Sequence, residues 1–487
     1  MVSCGLRVTM RRCRRHRLEK VRGHRAHDTP GACAADAVRA RYVIAIVGGA
    51  TAGAEAAALF ADRGAIVVVF EQNLRPYGKI EDGLPRWHVK LRQKEYETVN
   101  QKLDRPGVHF VPLTKIGRDI DFRALAAEWG FTAVILAVGA WRDRPLPVEG
   151  ADQYVGRGLV YQNPFIYWFN HSTEGDYQGP HYQVEDGAIV VGGGLASIDV
   201  VKVLQIETAR LALAQRGIVE EMLHIEHAGI PEVLAKHGLT WGSLGLRGAT
   251  LFYRRRIEDM PSTEIPPDAE AAQRQKLEAA RRRILEKAMQ KYLFNVRPQQ
   301  APVGLLVEGD RLAGLRFQQT QVSDAKMIPI DDAIEDVRAP LVISSIGSIA
   351  APLPGVPQRG EAYAFSDPGL GRIAGYDTVF GAGNAVTGKG NILASRKHSV
   401  LVGTHVAERF LGVGEDHHVG EEAALDVITG PVDESVERIA GWVRTRPPLD
   451  AAQVDAILQR VRTRQDTVGY TDSYQNWMAR FTPPHVT

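Results

Sequence analysis

Two short apolar runs in this 487-residue chain each end in a cluster of glycines and continue into a helix-prone stretch. The first is Tyr42-Val-Ile-Ala-Ile-Val47, followed by Gly48-Gly49-Ala50-Thr51-Ala52-Gly53. The second is Ala188-Ile-Val-Val191, followed by Gly192-Gly193-Gly194-Leu195-Ala196-Ser197. Runs this short and β-branched are expected of strands covered on both faces. A glycine cluster between strand and helix lets the chain turn sharply and leaves the first N–H groups of the helix open to an anion. Two such units predict an α/β protein with parallel sheets, and the length accommodates both at roughly 150 residues per domain.

The two units differ beyond the loop. In the first, a second strand, Ala65-Ile-Val-Val-Val-Phe70, ends at Glu71, 23 residues beyond Gly48. A carboxylate at that distance receives ribose hydroxyls while the loop cradles pyrophosphate. Gly48, Ala50, Ala52, Gly53 and Glu71 are therefore candidate dinucleotide contacts, with Ala50 placing a Cβ where a glycine is usual. The second unit offers Gly192, Gly193, Gly194, Leu195 and Ala196, with Ser197 in place of the third glycine. Its next strand, Ala249-Thr-Leu-Phe-Tyr253, comes after a helical insertion around 205–248 and ends in Arg254-Arg255-Arg256. A guanidinium fork at Arg254 and Arg255 suits a 2′-phosphate; the plain alternative is a solvated basic cluster. The expected cofactors are FAD in the first unit and NADP(H) in the second, with hydride passing between them.

Composition limits the chemistry. Cys4, Cys13 and Cys33 all lie before Arg41, so the body has no dithiol, cysteine-held iron–sulfur cluster or thiolate zinc site, and no metal is expected. Residues 1–41 carry eleven Lys/Arg against three acids, whereas the whole chain is only +2. The remainder is mildly acidic, which argues against a nucleic-acid footprint spread across it. Residues 1–40 read as a basic, disordered extension, with a transit peptide or an upstream start as alternatives. The longest apolar run, Tyr42 to Ala61, contains Glu55 and a glycine turn, so no membrane span is expected and the protein is read as cytoplasmic.

Further segments carry a family resemblance. Arg75-Pro-Tyr77-Gly78-Lys79-Ile-Glu-Asp-Gly83-Leu-Pro-Arg-Trp-His88, Ala137-Val-Gly139-Ala140, Phe165-Ile-Tyr-Trp-Phe-Asn170, and Phe380-Gly-Ala-Gly383-Asn384 with Gly388-Lys-Gly390-Asn391-Ile392 occur in this order. Together they resemble the adrenodoxin-reductase-like ferredoxin–NADP reductases, kin of the glutamate synthase small subunit, over roughly residues 41–410. The resemblance implies two three-layer Rossmann-like domains. An NADP domain (146–344) is inserted into an FAD domain (41–145 and 345–410), and a helical extension occupies 411–487. It assigns Gly78, Lys79 and Gly83 to a flavin-cradling stretch, Ala137 and Gly139 to the strand backing the flavin, and Gly383, Asn384, Gly390, Asn391 and Ile392 to a C-terminal flavin motif. It places His88 and Glu264 near the hydride-transfer centre, where a group titrating near neutrality can shuttle flavin protons. Lys79 departs from the usual hydrophobic residue and puts a cation near the flavin. Asn384 replaces a usual Trp or Asp, and the Gly388–Ile392 loop is one residue short.

The activity implied is electron transfer between NADPH and a ferredoxin-type iron–sulfur protein, by a monomer or homodimer. Alternatives are reduction of an organic substrate, supply of electrons to a synthase, or a non-catalytic redox sensor. A basic helix, Ala269–Tyr292, offers an acidic partner a docking face, or is simply solvated. Gly304 to Val322 reads as a β-hairpin. Asp450 with Gln453 reads as a capping box ahead of a Val454, Ile457, Leu458, Val461 stripe. Tyr470, Tyr474, Trp477 and Phe481 are expected to pack on the body.

Overall fold

The structure is a computed structural model, and it describes residues 42–261, 270–323, 326–383, 432–471 and 473–483. Residues 1–40 with their cysteines, Glu264, Asn384, Gly390, Asn391 and Ile392 lie outside the described residues.

The chain begins with β1 (Val43–Val47), α1 (Thr51–Asp62), β2 (Ile66–Phe70), α2 (Lys79–Asp82), α3 (Val89–Leu103), β3 (Val108–Val111), α4 (Phe122–Ala127), β4 (Ala133–Leu136) and β5 (Arg142–Asp143). A second set comprises β6 (Leu159–Tyr161), α5 (Gln162–His171), β7 (Ile189–Gly192), α6 (Leu195–Ala214), α7 (Met222–Ala228), α8 (Ile230–Lys236), β8 (Thr250–Tyr253), α9 (Ala271–Tyr292) and β9 (Asn295–Pro298). Then come β10 (Gln300–Glu308), β11 (Arg311–Ser323), β12 (Lys326–Arg338), β13 (Val342–Ser345) and β14 (Ser348–Ile349). The last elements are β15 (Gln358–Arg359), β16 (Ala362–Tyr363), β17 (Phe365–Asp367), β18 (Arg372–Ile373), β19 (Val379–Gly381), α10 (Val432–Val443), α11 (Ala451–Thr467) and α12 (Tyr474–Arg480).

Two parallel-cored sheets organise these elements. The first runs β17-β18-β19-β4-β1-β2-β3 and the second β6-β13-β7-β8-β9. All five residues of β1 are buried because alternate side chains enter different cores. Ile44 and Ile46 join α1, α3, α10 and α12 on one face, through Phe60, Tyr96, Ile439 and Trp477 among others. Val43, Ala45 and Val47 join Phe122 and Leu125 of α4 with Ile457 and Val461 of α11 on the other. The residues from Val432 on therefore complete the first sheet's cover on both faces, beside α1, α3 and α4. Asp450 caps α11 reciprocally with Gln453, at 2.8 and 2.9 Å, and Tyr474 and Trp477 are buried.

The second sheet is covered unlike the first. One face carries α5 to α9, through Phe165, Ile198, Leu204, Ile284 and their neighbours. On the other face, among the described residues, the cover is a strand layer with one short 3-10 turn at Ala151–Tyr154: Ile189, Val191, Phe252 and Val342 pack on Leu312, Leu315 and Phe317 of β11. That third layer is an antiparallel meander, β10-β11-β12, in which the expected hairpin gains a third long strand. β12 escapes a hydrophobicity reading because its side chains are mostly exposed and its apolar residues do not alternate with its charged ones. The chain passes between the sheets twice, after β4 and after β13, and the two crossings pair as β5 and β14. Among the described residues no helix is long and apolar enough to cross a membrane.

Candidate nucleotide-binding site

The first glycine loop is packed too tightly for side chains. Gly48 has φ +99°, and a Cβ on it would lie 2.6 Å from the Ala137 carbonyl oxygen. A Cβ on Gly53 would lie 1.8 Å from the Gly48 carbonyl oxygen, so this glycine sets how closely α1 meets β1. Gly78 (φ +51°) approaches so closely that its Cβ would be 2.8 Å from that of Ala50. Gly48, Ala50, Gly53, Gly78 and Ala137 therefore meet at the C-terminal end of β1, where ligands bind in open parallel sheets. Gly139 (φ +66°) leads toward Trp141, and Gly83 closes α2, its N–H donating to the Lys79 carbonyl at 3.0 Å. Ala50 caps α1 without a side-chain hydrogen bond, and Ala52 lies in the first turn. That helix start is left with N–H groups suited to an anion.

Glu71 is buried at the end of β2. Its Oε2 accepts from the Gly49 N–H (2.8 Å) and Oε1 from the Asn73 N–H (2.9 Å), leaving further lone pairs on each oxygen. Burial pushes its pKa up to about 7 against the pull of those two donors.

The second loop repeats the logic. A Cβ on Gly192 would sit 2.3 Å from the Ser345 carbonyl oxygen, and one on Gly193 would run into the Tyr253 ring at 2.2 Å. Gly194 has nothing within 4 Å of such a Cβ and caps the 20-residue α6 without a side-chain bond. Leu195 and Ala196 form the first turn. Ser197 is fully buried and donates to the Gly194 carbonyl at 2.6 Å, filling the place of the third glycine. The first cradle is thus floored by backbone and the second by backbone and the Tyr253 ring, and each opens at an uncapped helix start, which fits a dinucleotide.

At the end of β8 the basic run divides. Arg256 pairs with Asp259 through two bonds of 3.1 and 3.0 Å, and Arg255 leans toward the same carboxylate at 3.7 Å. Arg254 is exposed. Of the two arginines nominated for a 2′-phosphate, Arg254 is the one turned to solvent. Tyr253, whose hydroxyl donates to the Asp259 carbonyl at 3.0 Å, covers the glycine loop beside it; its place in the chain marks it only as the end of a strand.

Lys79 is drawn to the crossing strands. Its Nζ donates to Asn163 Oδ1 and Ser348 Oγ, both at 3.1 Å, and lies 5.6 Å from the Trp141 ring centre. Burial lowers its pKa to about 8, opposed by the charge of Asp143, whose own pKa burial raises to about 6. Asn163, Ser348, Asp143 and Trp141 carry no sequence signal as site residues, since only folding brings them to position 79.

His88 departs from the near-neutral shuttle. It sits beside Trp87 at the start of α3, and burial, with Lys202 nearby, pushes its pKa down to about 3. It is a neutral imidazole because charging it would desolvate a cation next to another cation. Lys202 itself is fully buried, 4.6 and 4.7 Å from the ring centres of Trp87 and Tyr292, bonded to Glu226 at 3.1 Å and 4.0 Å from Asp199. No group of His, Cys, Asp and Glu among the described residues is arranged to hold a metal.

The architecture is that of a Rossmann-type α/β protein with two parallel-cored sheets. It aligns with Mycobacterium tuberculosis FprA in complex with NADPH at a TM-score of 0.57 and 20% identity, covering 87% of this chain and 90% of that one. No family model matches the chain. In sequence it is 23% identical over 475 residues to the mitochondrial NADPH:adrenodoxin oxidoreductase of Arabidopsis thaliana, covering 88% of this chain and 94% of the relative. It is 31% identical over 165 residues to the glutamate synthase [NADPH] small chain of M. tuberculosis, a match spanning 32% of that relative, about a third of its length. The resemblance to the adrenodoxin-reductase-like reductases and the glutamate synthase small subunit is thus found in sequence, and the fold is like that of FprA.

Proposed function

We propose that this chain is an FAD-dependent oxidoreductase moving electrons between NADPH and a ferredoxin-type iron–sulfur protein. The observation that carries the reading is the pair of uncapped helix starts at parallel strand ends, one backed by Glu71 and the other by Tyr253 and Arg254. The relatives support the choice of partners: one is named for NADPH and adrenodoxin, and FprA was solved with NADPH. When bound, FAD and NADPH supply hydride and single-electron chemistry, and the chain supplies binding and alignment.

In this reading residues 41–145 and 345–410 form the flavin part and 146–344 the nicotinamide part. The α1 start and Gly48–Gly53 hold the flavin pyrophosphate, and Glu71 accepts from the ribose hydroxyls. Gly78, Gly83, Ala137 and Gly139 keep the backbone close enough to exclude water from the flavin. Gly192 to Ala196 hold the second pyrophosphate, and Arg254 meets the 2′-phosphate, with Arg255 behind it. His88 presents a neutral imidazole, able to donate or accept a hydrogen bond without adding charge. Glu264, Gly383, Asn384, Gly390, Asn391 and Ile392 keep the roles implied by resemblance. Because no cysteine occurs after residue 33, electrons do not leave through a dithiol of this part and go instead to a separate acceptor or a bound substrate.

The purified protein is expected to be yellow and to bleach with NADPH, and cytochrome c reduction is expected to be fast only with added ferredoxin. A colourless preparation that refuses added flavin overturns the reading. The glutamate synthase match favours an electron-input subunit as the second reading; bleaching by NADPH without any ferredoxin-dependent reduction selects it. Arg254→Ala is expected to raise KM for NADPH about 10- to 100-fold, the worth of a charge-assisted phosphate contact, while leaving NADH use unchanged. Arg255→Ala is expected to do less, because Asp259 already engages that side chain. Equal loss with both coenzymes removes Arg254 from the phosphate site.

A further inference from the structure

The stretch from Ile80 to His88 belongs in sequence to the first sheet's half, where Ile80 packs in the first core and Glu81 pairs with Arg75, yet from Leu84 on it packs into the second. Leu84, Trp87 and Leu91 lie in the core built by α5, α6 and α9. The grip is polar as well as apolar, and it comes from the last two residues of α5. Asn170, fully buried, donates from Nδ2 to the carbonyl oxygens of Glu81 and Leu84, both at 2.9 Å. His171, 5% exposed, has Nε2 3.0 Å from Asp82 Oδ1 and Nδ1 2.8 Å from Glu174 Oε1. A carboxylate oxygen only accepts, so both ring nitrogens must carry protons for both contacts to be hydrogen bonds. Once one proton leaves, a lone pair faces a carboxylate oxygen and one contact turns repulsive.

We propose that Asn170 and His171 are positioning residues that hold the Ile80–His88 segment, and His88 with it, against the second sheet's half, and that the hold loosens when His171 gives up a proton. The groups facing His171 are Asp82 and Glu81 of α2, Glu174 beyond α5, and the Tyr167 ring at 4.6 Å. Glu81 is engaged by Arg75 at 2.8 Å, and the charges of Arg75 and Arg86 reach Glu174. Burial pulls the imidazolium down, but the hydrogen bond and charge of Asp82, joined by Glu174, outweigh it and set the pKa above 6.5. A folded pKa above the unfolded one gives a contact fully present below the unfolded value, which is lost as pH rises through the folded value. The segment is therefore held tightly in mildly acidic solution and less tightly in alkali. The hold is a matter of side-chain geometry and does not depend on the oxidoreductase reading.

Hydrogen exchange on the purified full chain tests it, read at the Asp82, Gly83 and His88 amides, which donate to the Gly78, Lys79 and Pro85 carbonyls. After correction for intrinsic exchange, their protection is expected to fall about tenfold between pH 6 and pH 9, the worth of one charge-assisted hydrogen bond, while β7 amides stay unchanged. The NMR titration of His171 is expected to share that midpoint. His171→Gln is expected to hold protection at the alkaline level throughout, and Asp82→Asn to lower the midpoint. A flat wild-type profile, or an undiminished step in His171→Gln, overturns the proposal. A chain that shows the step but is not bleached by NADPH keeps this inference and loses the functional reading.

Discussion

Gly53→Ala is expected to give a chain that is less stable than wild type and leaves purification without flavin. The added Cβ would fall 1.8 Å from the Gly48 carbonyl oxygen and 2.9 Å from its carbon, and both atoms are backbone. No side chain can swing aside, so α1 must back away from β1 and take the anion-facing N–H groups with it. Overpacking of this kind costs about 1–3 kcal/mol in stability, and the displaced helix start loses the dinucleotide as well. The urea midpoint and the flavin absorbance per mole of protein measure the two effects. Gly194→Ala is the control: nothing lies within 4 Å of its Cβ, so the fold should be kept and only nucleotide binding altered. Wild-type stability and colour in Gly53→Ala would dismiss the first loop as a cradle.

Lys202→Met is expected to cost about 3–5 kcal/mol, since removing one partner leaves a buried charge uncompensated. The wild-type ammonium is fully buried and answers Glu226 at 3.1 Å and Asp199 at 4.0 Å. Burial already raises Asp199 to about 7 although Lys202 pulls it down, whereas Lys202 and Lys291 together keep Glu226 below its ordinary value despite burial. Without Lys202 both carboxyls titrate higher in the folded chain than in the unfolded one. The unfolded state then gives up protons first as pH rises, so the variant's deficit should grow from pH 5 to pH 8. Urea unfolding at the two pH values reads this directly. A deficit independent of pH assigns the lysine a packing role alone.

The parts of the fold written in local pattern are legible from the chain alone. The β1 and β7 runs, their glycine loops and the Asp450 cap each depend on residues a few positions apart, so spacing is enough to read them. The site is legible to the same extent. Glu71 can be placed by its distance from Gly48, and Arg254 by its place after a strand. Whatever depends on residues far apart in the chain is not legible: Lys79 with Asn163 and Ser348, Trp87 with Lys202, and Tyr253 over Gly193. A local signal does exist for Asn170 and His171, two polar residues closing an aromatic helix run, where a buried amide must find partners. His88 shows the opposite limit: its identity suggests a proton carrier, but burial beside Lys202 moves its titration far below neutrality.

Among the described residues, the meander that covers the second sheet ends in an edge strand, β12, with a row of main-chain groups left unpaired by strands. Pro329 lacks an N–H to donate, Asp332 bends the strand with φ +58°, and charged side chains line it, Glu335 and Asp336 paired with Arg297 and Arg316. Met327, Ile328 and Ile334 are exposed on the same strand and would otherwise be sticky. Such an edge is a poor template for fibre-like stacking, and a flat, neutral ribbon at these positions is expected to invite aggregation.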